Sequence, residues 1–280
     1  MSSNHNNQKK LAVIGDFTGF GRCSLTVSLP VISAMGVQCC PVPTSIFSNH
    51  TAYPSYFFDD YTEKMEPYLD EWRKLGLTFS GICTGFLGSR RQIAIVARFL
   101  QEFRSPDTIV TLDPVLGDGG RPYATCTPDL CRDMSALVPF ADLLTPNLTE
   151  ACILTGTPYR ERWHITEIEE IAHRLIARGP SQVVITGIPQ GSFLANLCCK
   201  ADGTTRLLRT RRVGESRCGT GDLFTSILAA DAVNGVPLAD SVRKASAFIG
   251  KCIRRSIELD IPLTDGVCFE EFLRDLCPRG

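Results

Sequence analysis

The sequence is short of charge of one sign. It carries 29 Lys and Arg against 30 Asp and Glu, a formal net charge of -1. Nucleic acid and anionic membrane surfaces are therefore poor candidates for the main partner, because both need a basic patch. Apolar runs of membrane-spanning length are absent, so no transmembrane segment is expected. The first ten residues, Met1 to Lys10, hold no apolar stretch and do not read as a signal peptide. They are expected to form a disordered polar tail, with one domain from 11 to 280. Histidine is scarce, with four in 280 residues, and none sits at ligand spacing to a cysteine pair, which excludes a structural zinc site. Cysteine is plentiful, at 13, but the count is odd and no C-x-x-C occurs. Thiols scattered through apolar elements read as reduced and buried, and point to a cytoplasmic location. A Walker A loop is missing too: Gly250-Lys251 is followed by cysteine and has no earlier glycine at the required spacing.

What is present follows an α/β plan. Leu11 to Ile14 reads as a strand, Gly15 to Gly21 as a glycine-rich turn, and the residues up to about Met35 as a helix. The turn lacks the third glycine of a dinucleotide fingerprint. Val37 to Val42 reads as a second strand, followed by a polar and aromatic loop from Phe47 to Tyr53. Met65, Tyr68, Leu69, Trp72 and Leu75 give a helical stripe over 62–75. Further strands are expected over 81–85, 108–112, 143–145 and 182–185. Helices are expected from Arg91, Thr127, Pro146, Ser241 and Phe269. Thr166 with Glu169 forms a candidate capping box. A hairpin is expected around Asp202-Gly203.

One stretch carries the chemistry. Gly219-Thr220-Gly221-Asp222 precedes the apolar run Leu223 to Ala230. Small residues at a helix entrance let a ligand approach free N–H groups, where the dipole favours an anion. Asp222 at that place is either an acidic cap or a carboxylate that takes a proton beside the bound anion. Asp113 and Asp118, five apart at the carboxyl end of a strand, fit an active-site loop. Asn147 and Glu150 are three apart at a helix start. Arg211, Arg212 and Arg217 surround the loop before Gly219, and a solvated loop explains them nearly as well as an anion site does.

Together, Phe47-Ser48-Asn49-His50-Thr51, Asp113-Pro114-Val115-Leu116-Gly117-Asp118, Thr145-Pro146-Asn147-x-x-Glu150 and Gly219-Thr220-Gly221-Asp222-Leu223-Phe224 resemble the pyridoxal kinase branch of the ribokinase-like (PfkB) superfamily. The resemblance spans Leu11 to about Leu276. It implies a mostly parallel central sheet flanked by helices on both faces, and phosphorylation of the 5′-hydroxymethyl group of a vitamin B6 vitamer by MgATP. It implies a catalytic base at Asp222 and an anion hole at Gly219, Thr220 and Gly221. It implies ATP contacts at Asp113, Asp118, Asn147, Glu150 and Thr186, with magnesium near Glu150 and Asp113 and a monovalent cation such as K+ as a further ligand. The vitamin ring would meet Asp16, His50, Thr51 and Phe86. A homodimer is implied as well. The sequence departs from the pattern at Asp16 and Phe86, where many pyridoxal kinases carry serine and tyrosine. Hydroxymethylpyrimidine kinase and a non-catalytic relative that binds B6 or nucleotide are the rival readings.

Overall fold

The computed structural model describes residues 5–123 and 125–278. Its main-sheet strands are β1 (Lys10–Phe20), β2 (Gln38–Asn49), β3 (Phe58–Asp60), β4 (Gly81–Thr84), β5 (Ile109–Leu112), β8 (Leu143–Leu144), β9 (Gln182–Gln190), β10 (Phe193–Lys200) and β11 (Thr205–Arg211). A small ribbon pairs β6 (Gly117–Asp118) with β7 (Arg121–Pro122). The helices are α1 (Leu25–Ala34), α2 (Thr62–Leu75), α3 (Arg90–Phe103), α4 (Pro128–Met134), α5 (Leu148–Thr155), α6 (Ile165–Ile176), α7 (Thr220–Val233) and α8 (Leu238–Glu258). The nine-stranded sheet runs β11-β10-β9-β8-β5-β4-β1-β2-β3. Its centre is parallel, and only β3, β10 and β11 pair antiparallel.

Side chains along the central strands alternate between two cores, as the period of two requires. Ala12 and Ile14 pack with α2 to α6, whereas Leu11 and Val13 pack with α1, α7 and α8. Val183 and Ile185 divide from Val184 in the same way. From β1 the chain moves outward to β2, then returns to β4 on the other side of β1. The order therefore reverses between β1 and β4, and such a switch point leaves a crevice at the strands' carboxyl ends.

Several sequence expectations are corrected. β1 does not stop at Ile14 but continues through Gly15 to Phe20, paired with β2 as far as Phe20 opposite Asn49, with a one-residue register shift between Gly15 and Phe17. The turn lies at Gly21 to Ser24, where Arg22 and Ser24 both adopt positive φ, 50° and 59°. In the same way β2 runs on to Asn49, so Phe47 to Asn49 are strand and not loop. These extensions escape pattern reading because their inward residues, Asp16 and Thr18, are polar and line a cavity. β9 likewise continues past Thr186 to Gln190. The α6 capping box belongs to His164 and Glu167: the His164 N–H donates to Glu167 Oε2 at 2.9 Å. The C-terminal segment Glu270–Leu276 is a 3₁₀-helix. Of the polar segment 1–10, residues 1–4 lie outside the described residues, and Lys10 already belongs to β1.

Candidate active site

The crevice opens into a cavity of about 840 Å³. It is lined by all the residues singled out above: Asp16, His50, Thr51, Phe86, Asp113, Asp118, Asn147, Glu150, Thr186 and Gly219 to Asp222. They come from β1, β6 and β9, from the loops that follow β2, β4 and β5, and from the starts of α5 and α7.

Gly219 is the N-cap of α7 with φ 79° and ψ -4°. A Cβ there would sit 1.8 Å from the carbonyl oxygen of Arg22, so only glycine lets the turn after β1 press against the start of α7. At Gly221 nothing lies within 4 Å of the missing Cβ, and the space beside the helix entrance is open. Thr220 Oγ1 donates to the Arg217 carbonyl at 3.0 Å and fixes the approach to the turn. Asp222 stands in the first turn of α7. Burial pushes its carboxyl up to about 6; the Ser24 main chain opposes this and the charge of Asp16 adds to it. Such a carboxylate is ionised at neutral pH yet basic enough to accept a proton.

Opposite stands the loop after β5. Asp113 Oδ2 accepts from Thr225 Oγ1 at 2.8 Å, one turn beyond Asp222 on α7. Burial raises the Asp113 carboxyl, and the Asp222 charge adds to the shift. Asn147 and Glu150 form a reciprocal cap on α5. The Glu150 N–H donates to Asn147 Oδ1 at 3.0 Å, and the Asn147 N–H to Glu150 Oε2 at 2.8 Å. Glu150 Oε1 accepts from the Leu116 N–H at 3.0 Å, and Asn147 Nδ2 donates to the Gly117 carbonyl at 2.8 Å. The cap thus anchors the 113–118 loop as well as the helix. Glu150 is nearly inaccessible, and burial followed by the Asp113 charge holds its carboxyl well above the usual range. Asp118 is exposed on the ribbon, accepting from the Gly119 N–H at 2.7 Å. Thr186 bridges to Asn147 across the strand ends, its N–H donating to the Pro146 carbonyl at 2.9 Å.

At the other end of the cavity Asp16 is buried and accepts from Thr18 Oγ1 at 2.6 Å. Burial raises its carboxyl, against hydrogen bonds from Thr18 and Ser24. Phe86 lies edge-on to Phe47, ring centres 6.3 Å apart. Thr51 is exposed at the rim. Both nitrogens of His50 are engaged: Nε2 donates to the Thr264 carbonyl at 2.6 Å and Nδ1 accepts from the Ala52 N–H at 3.3 Å. His50 therefore ties its loop to residue 264 and meets the cavity with its ring. Sequence reading missed Thr18, Ser24 and Thr225, which orient the acids or wall the cavity. Only Thr225 had a signal, its i+3 spacing from Asp222.

Carboxylates are the donors a magnesium ion accepts. Among the described residues no three His, Cys, Asp or Glu side chains converge as a metal cage. Asp113 and Glu150 fit an ion that brings most of its shell with it, as water and phosphate oxygen.

The family model for phosphomethylpyrimidine kinase matches residues 27–263. A pyridoxine/pyridoxal/pyridoxamine kinase of Bordetella avium is 30% identical over 259 residues, 88% of this chain and 86% of that protein. A Bacteroides thetaiotaomicron structure, provisionally named a phosphomethylpyrimidine kinase and crystallised with pyridoxal, is 36% identical with a TM-score of 0.93, covering 96% of each chain. Pyridoxal kinase from Lactobacillus plantarum is 26% identical with a TM-score of 0.89, again over 96% of each chain. The sheet order, the helix-entrance turn and these likenesses agree, and the chain belongs to the phosphomethylpyrimidine kinase family of the ribokinase-like superfamily.

Proposed function

We propose that this protein is an ATP-dependent kinase of vitamin B6 salvage, phosphorylating the 5′-hydroxymethyl group of pyridoxal, pyridoxine or pyridoxamine. The observation that carries the reading is Asp222: a basic carboxylate in the first turn of α7, beside the open glycine turn and in one cavity with Asp113, Glu150, Asp16 and Phe86. The curated relatives named for B6 vitamers and the Bacteroides structure with pyridoxal support the acceptor. Residues 11–280 are proposed to act as one kinase domain.

The chemistry follows from the geometry. Asp222 takes the proton of the substrate hydroxyl as its oxygen forms a bond to the γ-phosphorus and the bond to ADP breaks. Main-chain N–H groups of Gly219, Thr220 and Gly221 meet the charge on the transferring group. Asn147, Glu150, Asp113, Asp118 and Thr186 order the phosphate end of the nucleotide. Magnesium held near Asp113 and Glu150 would supply neutralisation of phosphate charge. The vitamin ring lies between Phe86 and the Asp16, Thr51 and His50 end of the cavity, with Phe86 stacking on it.

The proposed location is the cytoplasm, which suits 13 free cysteines. Among the described residues no helix is long and apolar enough to cross a membrane. A homodimer is proposed through the outer edge of the sheet, where Phe17, Phe20, Ile46, Tyr56, Phe57 and Phe58 are exposed together around β1, β2 and β3. Charging this edge with Phe57→Asp should halve the mass seen by light scattering. An unchanged mass would dismiss that interface.

The matched family model favours hydroxymethylpyrimidine as the second reading of the acceptor. An ATP-consumption screen with pyridoxal, pyridoxine, pyridoxamine and hydroxymethylpyrimidine, with and without K+, separates the two. Turnover of the pyrimidine alone would overturn the B6 assignment. Binding without any turnover would overturn the kinase.

A further inference from the structure

Of the three arginines before the glycine turn, Arg211 and Arg212 are exposed, but Arg217 is buried, with 8% of its surface accessible. Its guanidinium has no carboxylate partner among the described residues. Nη1 donates instead to three main-chain carbonyls, those of Ile261 at 2.7 Å, Pro262 at 3.1 Å and Gly266 at 3.3 Å. Its Nε is buried with no partner.

Taking a cation out of water is costly unless an opposite charge answers it. Carbonyl dipoles meet the hydrogen-bonding need but leave the net charge standing, and in a poorly solvated place that charge acts strongly on its neighbours. The neighbours here are the glycine turn and the cavity. Arg217 lines the same cavity, and its own carbonyl accepts from Thr220 Oγ1. The other ionisable groups on those walls include the four acids Asp16, Asp113, Glu150 and Asp222. A nucleotide triphosphate is strongly anionic, and Arg217 is a buried cation on the cavity wall two residues before the glycine turn.

We propose that Arg217 is a positioning residue whose uncompensated guanidinium charge, held by the 261–266 carbonyls, sets the affinity of residues 219–221 for nucleotide phosphate. The inference rests on the anion-hole reading of those residues. A purely structural staple would need only hydrogen-bond donors in that place, and the two roles separate by substitution. Arg217→Gln keeps donors and loses the charge; Arg217→Lys keeps the charge and loses two of the donor nitrogens.

Calorimetry with a non-hydrolysable ATP analogue, beside steady-state kinetics and melting temperature, reads the difference. Expected is a tenfold or greater loss of analogue affinity in Arg217→Gln, with pyridoxal KM within threefold of wild type. Arg217→Lys should stay within about fivefold in affinity. Equal losses in both variants, or an unchanged affinity in Arg217→Gln, would overturn the proposal. A measurement on the unaltered protein covers the case in which neither variant folds. The Arg217 Nε–H resonance should shift on adding ADP and not adenosine, and an equal response to both would overturn it. Analogue binding is read without turnover, so a wild-type protein that binds nucleotide but phosphorylates no B6 vitamer would refute the kinase reading and leave this test standing.

Discussion

Replacing Asp222 by asparagine should remove activity and add stability at once. General-base help is typically worth ~10²–10⁴-fold, or ~3–5 kcal/mol of barrier, and asparagine cannot take the proton. The stability effect has the opposite sign. Burial lifts the folded carboxyl from 3.8 to about 6. A raised acid favours the folded state fully below the unfolded value and loses that contribution as pH climbs through about 6. At pH 8 the wild type therefore carries a penalty that asparagine does not. The full shift corresponds to ~3 kcal/mol, and discounting for solvent in the open cavity leaves ~1–2 kcal/mol. That is roughly 2–4 °C of melting temperature for a chain of this size. The assay pairs kcat with thermal melts of wild type and Asp222→Asn from pH 4 to pH 8. The melting advantage of the variant should grow between about pH 4 and pH 6 and then level off. A variant that keeps most of its kcat refutes the base assignment. A variant that melts below wild type at pH 8 refutes the burial argument.

Other perturbations have separate readouts. Gly219→Ala places a methyl on the Arg22 carbonyl and forces alanine into a left-handed backbone, itself worth ~1–2 kcal/mol, so both melting temperature and turnover should fall. Gly221→Ala meets nothing within 4 Å and should fold at least as well as wild type, yet raise the KM for ATP; an unaltered KM would mean that phosphate does not come close there. Asn147→Ala removes the cap of α5 and the Gly117 contact, at a cost of ~1–2 kcal/mol, and should raise the magnesium concentration needed for half-maximal rate; an unaltered requirement would separate the cap from metal use. Asp16→Ser should narrow the preference between pyridoxamine and pyridoxal, because an anionic side chain near the ring favours the cationic amine. Unchanged kcat/KM ratios would count against that role.

Much of the frame was legible because it rests on local rules. The stripe at 62–75 matched α2 at both ends, and Thr127 caps α4, accepting from the Leu130 N–H at 3.2 Å. The buried central strands stood out as short apolar runs. What failed to show were segments whose partners lie far along the chain. The run from Gly15 to Phe20 is strand through pairing with Pro43 to Asn49, and Phe47 pairs with Phe58 of β3 as well. The tie from His50 Nε2 to the Thr264 carbonyl, 214 residues away, has no trace in the local sequence. Asn147 with Glu150 was legible as a pair, but not as the clamp that reaches back to Leu116 and Gly117.

The order of residues alone determined which groups could do chemistry: an acid behind a glycine turn at the start of an apolar helix, and further acids at strand ends. Those assignments depend on neighbours within a few positions, where backbone geometry follows from residue type. Tertiary structure decided how those groups behave. It gathered Asp222, Asp113, Asp16 and Glu150 around one cavity, where desolvation raised their proton affinity. It also left the buried guanidinium of Arg217 on the wall of the same cavity, held by main-chain carbonyls alone. Desolvation and charge interaction depend on distance in space, and a linear sequence does not contain that distance.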